Sequence, residues 1–572
     1  MPVHNVDIAK IFEQIADLLE IQDANPFRVR AYRNAARTVS SMAREAADMA
    51  AKDEDLTSLP GIGKDLAGKI KTIVASGTLP LLEELQKGVA KELTTLMEVE
   101  GLGPKRVSML HKKLGITNLK ELKEAAQAGT IRELSGFGPK TEQKILEDLS
   151  RVKEGAGRVL LVEAEQFAES YRAYLEGVKG VKKVIVAGSY RRRLETVGDL
   201  DILVTCKKDA PVMESFVGYD EVARIISQGK TRSTVVLRSG MQVDLRVVPG
   251  TSYGAALHYF TGSKAHNIAV RKRGTAKKLK INEYGVYRGK KKVAGATEQE
   301  VYAQVDLPYI EPELREDRGE IEAALNDALP RLITLGDIKG DLHCHSQHTD
   351  GRNSIKEMVQ AARELDYEYL AITDHSKRVS VAKGLDEKRL RQQMEEIDDL
   401  NDTLSGITLL KGIEVDILPD GSLDLPDTVL RDLDIVVCSV HSKFDLSRDK
   451  QTERIIRAMD NPFFNILAHP TARMLGSRQP YELDMDRLMR AAAERAVFLE
   501  LNAQPQRMDL TDIHLKRAKE IGVQVVISTD AHWQGNLNYM RFGVGQARRG
   551  WLEADNVVNT RSLTQLRRLL KR

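Results

Sequence analysis

Beyond residue 337 the chain repeats one unit, a short apolar run followed by a charged stretch of helical spacing. The runs are IKGDLHCH, YEYLAITDH, ITLLKGIEV, LDIVVCSVH, FFNILAHP, VFLELNA and VQVVISTDAH. Alternation of this kind implies parallel strands joined by crossover helices, and seven units predict a β/α barrel rather than an open sheet. A barrel gathers the C-terminal ends of its strands at one mouth. Nearly all the runs end in side chains that bind metals: His343 and His345, His375, Glu414, His441, His469, then Asp530 and His532. One strand-end histidine is an ordinary side chain, but convergence of this many points to metal. Imidazoles and carboxylates with few thiols suit Zn²⁺, Mn²⁺ or Fe²⁺ rather than a Mg²⁺-only site. The ligands outnumber what one ion can use, so two or three ions are expected. Clustered metals supply hydroxide from bound water, which hydrolyses phosphoesters without a protein nucleophile.

The first half reads differently. Eight of the twelve histidines lie at or after His343, so the metal chemistry above belongs to the C-terminal part. At 572 residues the chain calls for several domains. No apolar run approaches bilayer length, and the opening MPVHNVDIAKIFEQIADLLE is an amphipathic helix pattern rather than a secretion signal. Cys206, Cys344 and Cys438 are scattered and odd in number, which suggests a reducing cytoplasm. A net charge of +3 does not by itself imply a nucleic-acid partner. The block from Thr261 to Gly295 says more, because it is rich in Lys and Arg and holds a single acid, Glu283.

Upstream of that block lies VIVAGSYRRRLETVGDLDILV, a strand ending in a Gly-Ser turn and a second strand. Alternation puts Asp199 and Asp201 on one face, with Leu200 and Ile202 on the other. Two such carboxylates repel unless a divalent cation lies between them. Hard oxygen ligands suit Mg²⁺ or Mn²⁺, and a pair of ions ~4 Å apart clamps the attacking and leaving oxygens of phosphoryl transfer. A third acid is expected on a neighbouring strand, and MQVDLRVV supplies Asp244. Gly188, Ser189, Arg192 and Gly198 are placed to hold a nucleotide, the first three through backbone N–H, hydroxyl and guanidinium groups on the triphosphate. In HYFTGSKAHNIAVRKRG, Tyr259 and Phe260 before Gly262 can wall off a 2′-hydroxyl, Asn267 can meet a base edge and Arg271 a template strand.

One loop recurs in the first 150 residues: LPGIGKDLAGKI, VEGLGPKRVSML and LSGFGPKTEQKI. Gly61, Gly63 and Lys64, then Gly101, Gly103 and Lys105, then Gly136, Gly138 and Lys140, form the repeated turn and its basic residue. Such loops at a helix N-terminus present N–H groups to an anion. They resemble helix-hairpin-helix elements, which grip DNA backbones without reading sequence. Arg28, Arg30, Arg33 and Arg37 precede them at helical spacing, again suited to phosphates.

Residues 1 to about 315 resemble the DNA polymerase beta-like family X enzymes, on the hairpins, the GS–DxD centre, YFTGS, INEYGVYR and LPYIEPELRED. There a lysine of the first hairpin's second helix forms a Schiff base with an abasic sugar, and Lys69 matches it. Arg28 stands where that family has a supporting lysine, so Lys69 reads either as a lyase nucleophile or as a phosphate contact. Tyr259, Phe260, Gly262, Asn267 and Arg271 match nucleotide-binding positions, while Lys264 replaces an acid of the mammalian relatives. Residues 338–572 resemble the PHP (polymerase and histidinol phosphatase) superfamily, in which nine residues bind three metals. The matching positions are His343, His345, Asp350, His375, Glu414, His441, His469, Asp530 and His532, none substituted.

End to end the chain is similar to the bacterial and archaeal family X DNA polymerases that carry a PHP domain. The resemblance implies N-terminal α-helical helix-hairpin-helix domains, an α+β nucleotidyltransferase palm and thumb, and a C-terminal distorted (β/α)7 barrel. It places a helical DNA-binding domain at 1–85, fingers at 86–155, the palm at 156–250, the thumb at 251–315, a linker at 316–337 and the barrel at 338–572. It implies gap filling from dNTPs on gapped or primer-template DNA, and a barrel acting as a 3′–5′ exonuclease, with abasic-site cleavage a further activity. A cytoplasmic monomer with no membrane partner is expected. The alternatives are a polymerase fused to a small-molecule phosphatase, and a non-catalytic DNA-end-binding module with a structural barrel. Within GDLHCHSQHTDG, alternation sends Cys344 away from His343 and His345, Asp341 is expected to support the ligands, and His348 is left open between the metals, DNA and an exposed loop.

Overall fold

The computed structural model describes residues 3, 5–40, 42, 44–88, 93, 95–99, 102–134, 136–139, 141–143, 145, 146 and 158–570. The chain divides into two units, Met1–Gly157 and Arg158–Arg572.

The first unit is helical among the described residues. Ile8, Phe12, Ile15 and Leu19 recur at helical spacing in Asn5–Ile21 and are all buried, so this helix turns one face to the core. Phe12 meets Tyr32 of the helix Pro26–Ser40 edge to face, with ring centroids 5.7 Å apart. The helices Lys64–Ser76 and Pro104–Leu114 each begin after a hairpin glycine, Gly63 and Gly103.

The second unit holds two large sheets. In the palm, Val181–Val186 (β1), Asp199–Cys206 (β2), Val222–Gln228 (β3), Arg232–Leu237 (β4) and Gln242–Val247 (β5) form one sheet in the order β1-β2-β5-β4-β3. β2 and β5 run parallel, with Asp201 opposite Asp244, and the other pairs are antiparallel. Leu200, Ile202 and Val204 point into the core, which leaves the aspartates on the opposite face. The helices Tyr253–Thr261 and Lys264–Ala276 follow, then a small antiparallel sheet of Leu279–Asn282, Gly285–Arg288 and Lys291–Ala294.

The barrel has seven parallel strands paired in sequence order: Gly340–Asp341 (β6), Tyr369–Ile372 (β7), Thr408–Asp416 (β8), Ile435–Ser439 (β9), Ile466–Leu467 (β10), Phe498–Asn502 (β11) and Val525–Ser528 (β12). A bridge between Cys344 and Ala531 joins the first strand region to the last. Alternation splits each strand between two cores. Leu370 and Ile372 pack with the helices, whereas Tyr369 and Ala371 join a separate cluster that Leu566 of the C-terminal helix closes.

Palm and barrel share buried apolar contact, because Met508 and Phe542 of the barrel sit in the palm's cluster. Burying side chains of this size contributes about 1.5–3 kcal/mol each. Among the described residues no helix is long and apolar enough to cross a membrane.

Candidate functional sites

The palm centre is set by β2 and β5. Asp201 lies opposite Asp244, and Asp199 precedes it on the same face. Gly188 sits at φ +64°, and a Cβ there would come within 2.7 Å of Asp201 Oδ2, so only glycine lets the turn close over this carboxylate. Burial, then the charges of Asp199 and Asp244, push the Asp201 carboxyl up to about 7. Burial and the crowding of like charges both penalise the ionised form here, and a bound cation would relieve both. Asp244 is held by the Thr234 hydroxyl at 2.6 Å and the Gln242 amide at 2.9 Å.

The nucleotide candidates gather beside these acids. Ser189 lies in the one-turn helix Gly188–Arg191. Arg192 donates Nη1 to the Thr261 carbonyl and Nε to Glu316 at 3.0 Å, and a Cβ on Gly262 would meet Arg192 Nη1 at 3.1 Å. Tyr259 and Phe260 lie edge to face at 5.1 Å, with the Arg246 guanidinium 5.1 Å over Phe260. Asn267 donates to the Tyr259 carbonyl at 2.8 Å, and Arg271 is exposed on the same helix. Gly198 is exposed immediately before Asp199. Arg191 chelates Glu298 at 2.6 and 3.0 Å, and Arg315 bonds the same carboxylate. Burial alone would raise Glu298, but Arg315 and Arg191 bring it down to about 2.

The barrel mouth brings all nine of its candidate ligands together. Ligand atoms of His345, Asp350, His375 and His532 lie within 4.8 Å of one another, as do those of His343, His345 and Asp530, and those of His375, Glu414 and His441. His469 joins through Nε2, 3.1 Å from Glu414 Oε1. Three imidazoles are aimed by an acceptor behind them. His343 Nδ1 donates to Glu500 at 2.6 Å, His441 Nδ1 to Asp416 at 2.9 Å and His532 Nδ1 to the Asp530 carbonyl at 2.8 Å. Each turns its Nε2 towards the cluster, where a bound cation would take its lone pair.

Two observations fit divalent cations. His343 Nε2 and His345 Nε2 approach to 3.2 Å, and His375 Nδ1 lies 2.7 Å from Glu414 Oε2 without forming a hydrogen bond. The buried Nδ1 atoms of His345 and His469 have no hydrogen-bond partner either. Such a set of orphaned donors and acceptors is costly unless a cation satisfies it. Burial would raise the Glu414 carboxyl, but His375, His441 and His343 hold it well below its usual range. Burial, followed by His532 and His375, brings His345 down to about 3, so its ring is neutral as a ligand must be. His469 and Asp530 take left-handed backbone, at φ 28° and 50°, which bends both ligands into the mouth.

The structure sorts GDLHCHSQHTDG. Cys344 is buried in the helix-facing core and donates to the Ala371 carbonyl at 3.0 Å. Asp341 accepts from Thr529 and from the His343 N–H, so it braces backbone rather than an imidazole. His348 pairs with Glu396 at 2.8 Å on the helix Glu387–Thr403.

Sequence reasoning missed Glu500, which takes His343 Nδ1, Ser528 Oγ and the His469 N–H, and Asp416 behind His441. The signal was present, since each is an acid embedded in a buried strand run. Arg507 was missed as well; its Nε stands 3.6 Å from Asp530 Oδ2.

In the N-terminal unit Gly61 and Gly136 adopt φ +75° and +86°. A Cβ on Gly61, Gly63, Gly103, Gly136 or Gly138 would meet nothing within 4 Å, so these loops are open to a ligand. Lys64 and Lys105 stand in the first turns that follow. Gly101 and Lys140 lie outside the described residues. Arg33 is half-exposed and pairs with Asp17 and Glu20 at 2.8 and 2.7 Å. Lys69 pairs with Asp65 and lies 5.1 Å over the Tyr32 ring. Burial lowers its pKa, but hydrogen bonds to Asp65 and Tyr32 outweigh that and raise it, opposite to what a Schiff-base amine needs.

Five family models match: the DNA polymerase beta palm over residues 158–238, the DNA polymerase beta thumb over 256–316, the PHP domain over 341–504, a helix-hairpin-helix domain over 3–79 and a SAM-like helix-hairpin-helix tandem over 93–151. The chain is 41% identical over 575 residues to the DNA polymerase/3′-5′ exonuclease PolX of Bacillus subtilis (strain 168), covering all of both chains. A "Probable phosphatase" of Thermoanaerobacter sp. (strain X514) is 28% identical over 231 residues, 38% of this chain and 89% of that protein. Another, of Caldanaerobacter subterraneus subsp. tengcongensis, is 28% identical over 204 residues, 33% of this chain and 76% of that protein.

Proposed function

The chain belongs to the family X DNA polymerases that carry a C-terminal PHP domain, and from that premise we propose that it fills short DNA gaps with its palm and trims 3′ ends with its barrel. The observation that carries this reading is the presence of both centres in one chain: a carboxylate set behind a glycine turn, and a nine-ligand mouth.

In the palm, Asp199, Asp201 and Asp244 would hold two Mg²⁺ or Mn²⁺ ions. When bound, these ions acidify the primer 3′-hydroxyl and neutralise the triphosphate. The chain's own groups orient the nucleotide. Gly188 and Ser189 offer N–H and hydroxyl donors, Arg192 offers a guanidinium, and the Tyr259–Phe260 wall with Gly262 stands against the sugar. Asn267, Arg271 and Gly198 complete the nucleotide side.

In the barrel, His343, His345, Asp350, His375, Glu414, His441, His469, Asp530 and His532 would hold two or three Zn²⁺, Mn²⁺ or Fe²⁺ ions. Glu500 and Asp416 keep His343 and His441 in the tautomer that ligates. Arg507 stands beside Asp530 as a cation for the scissile phosphate. The open hairpin loops with Lys64 and Lys105 supply backbone contacts to gapped or primer-template DNA. Lys69, paired with Asp65 over the Tyr32 ring, keeps both roles, phosphate contact and lyase nucleophile. A monomer working in the cytoplasm is consistent with this use.

The test is a gapped duplex with dNTPs and Mn²⁺. Asp201→Ala is expected to lower extension by about 10³-fold and leave trimming intact, and His345→Ala to do the reverse. If neither variant changes either activity, both assignments are wrong. Hydrolysis of small phosphate esters without any action on DNA would favour the fused-phosphatase alternative.

A further inference from the structure

The segment Arg191-Arg192-Arg193-Leu194-Glu195 joins the glycine turn to the strand of Asp199 and carries three successive cations. Alone it would splay apart, because like charges repel and it has little regular structure of its own. Arg193 pairs with Glu165 of the palm at 3.4 Å, and the other charges are matched from outside it. Arg191 is chelated by Glu298. Glu195 accepts from Arg473 at 2.5 Å and from Gln546 Nε2 at 2.7 Å, both in the barrel. The Arg193 stem lies on Gly545, where a Cβ would meet it at 3.4 Å.

Arg192 is held most closely. Its Nε bonds Glu316 Oε1 at 3.0 Å, and the same oxygen accepts Nη1 of Arg549 at 3.0 Å. Arg549 Nη1 also donates to the Arg192 carbonyl at 2.8 Å, and its Nη2 bonds Asp512 at 2.6 Å. Arg549 is buried at the end of the helix Met540–Arg549, and Arg318 pairs with the same Asp512 at 2.9 Å.

The geometry points to Arg549 as a positioning residue for nucleotide binding in the palm, acting through Glu316 and Arg192. This rests on the polymerase reading above and deepens it: the barrel is a structural part of the nucleotide site as well as a second enzyme. With Arg549 present, Glu316 divides its charge between two guanidinium groups, and the Arg192 backbone is pinned. Arg192 then presents its remaining guanidinium N–H groups from a fixed position to an incoming triphosphate. Without Arg549, the whole Glu316 charge falls on Arg192, its carbonyl loses a donor, and the side chain is drawn away from the phosphates. The cost falls on nucleotide binding rather than on turnover.

The experiment uses the full chain on a duplex with a one-nucleotide gap, with hydrolysis of bis(p-nitrophenyl) phosphate as the readout of the barrel. Arg549→Gln is expected to raise the KM for dNTP about tenfold, with kcat and ester hydrolysis within about twofold of wild type. Arg549→Lys, which keeps the charge but not the fork, recovers part of the loss. Glu316→Gln raises KM as well, and the double variant is no worse than Arg549→Gln because the two groups act as one unit. An unchanged KM in a folded Arg549→Gln protein overturns the proposal, as does an equal loss of extension and ester hydrolysis. If Arg549→Gln does not fold, an unchanged KM in Glu316→Gln overturns it instead. Failure of the wild type to extend any primer would sink the polymerase reading, a result distinct from wild-type extension that the variants match.

Discussion

In the palm, the carboxylates lie on two hydrogen-bonded strands and repel one another; in the barrel mouth, eight ligands come from strand ends around a nearly closed ring, Asp350 comes from the turn after the first, and several are aimed by a partner behind them. Asp201 is pushed up by burial and then by the charges of Asp199 and Asp244, whereas Glu414, also buried, is drawn down by the imidazoles around it. A carboxylate pair that raises its own pKa binds cations most firmly when a polyanionic substrate arrives with them. A mouth that already gathers its imidazole and carboxylate ligands at one place is ready beforehand. On the reading proposed above, the difference would separate a centre loaded with its nucleotide from one that holds its ions beforehand.

Removing the support of a ligand should therefore cost more in the barrel than in the palm. Glu500→Gln takes the carboxylate charge from behind His343, and barrel hydrolysis or metal affinity is expected to fall about 10–100-fold, read by ester hydrolysis across a Mn²⁺ titration. The palm counterpart is Thr234→Val, which removes one donor from Asp244 while Gln242 remains. Its loss of extension should be smaller, about threefold to tenfold. Equal losses in the two variants would break the comparison.

Acid gives the smallest effect and sharpens the comparison from the palm side. Glu298, which ties Arg191 to Arg315, has a folded pKa of about 2 against an ordinary 4.5. A depressed carboxyl contributes stability that is fully present above its unfolded pKa and lost as pH falls through the folded one. The window here runs from about 4.5 down to about 2. Between pH 5 and 3 the Tm of wild type should fall more steeply than that of Glu298→Gln, by roughly 2–4 °C over the interval. Parallel slopes would remove Glu298 from the account.

The sequence disclosed what depends on local period. Alternation in DLDILV places both aspartates on one face, and strand ends place the barrel ligands, because both follow from a two-residue repeat. Glu500 and Asp416 escaped attention because a strand run reads as apolar even when one buried acid interrupts it. The clamp on Arg192 was out of reach for a different reason. Arg549 lies 357 positions away in the chain, and an ion pair across that separation leaves no periodic trace. His348 was ambiguous since only the fold brings Glu396 to it.

Metal content tests the central contrast most directly. Full-length protein purified without added metal, dialysed at neutral pH and analysed by inductively coupled plasma mass spectrometry should retain two or three transition-metal ions per chain. His345→Ala should lose them and Asp201→Ala should keep them. Equal metal content in wild type and His345→Ala, or loss of the ions in Asp201→Ala alone, would contradict a barrel that holds its ions beforehand and a palm that does not.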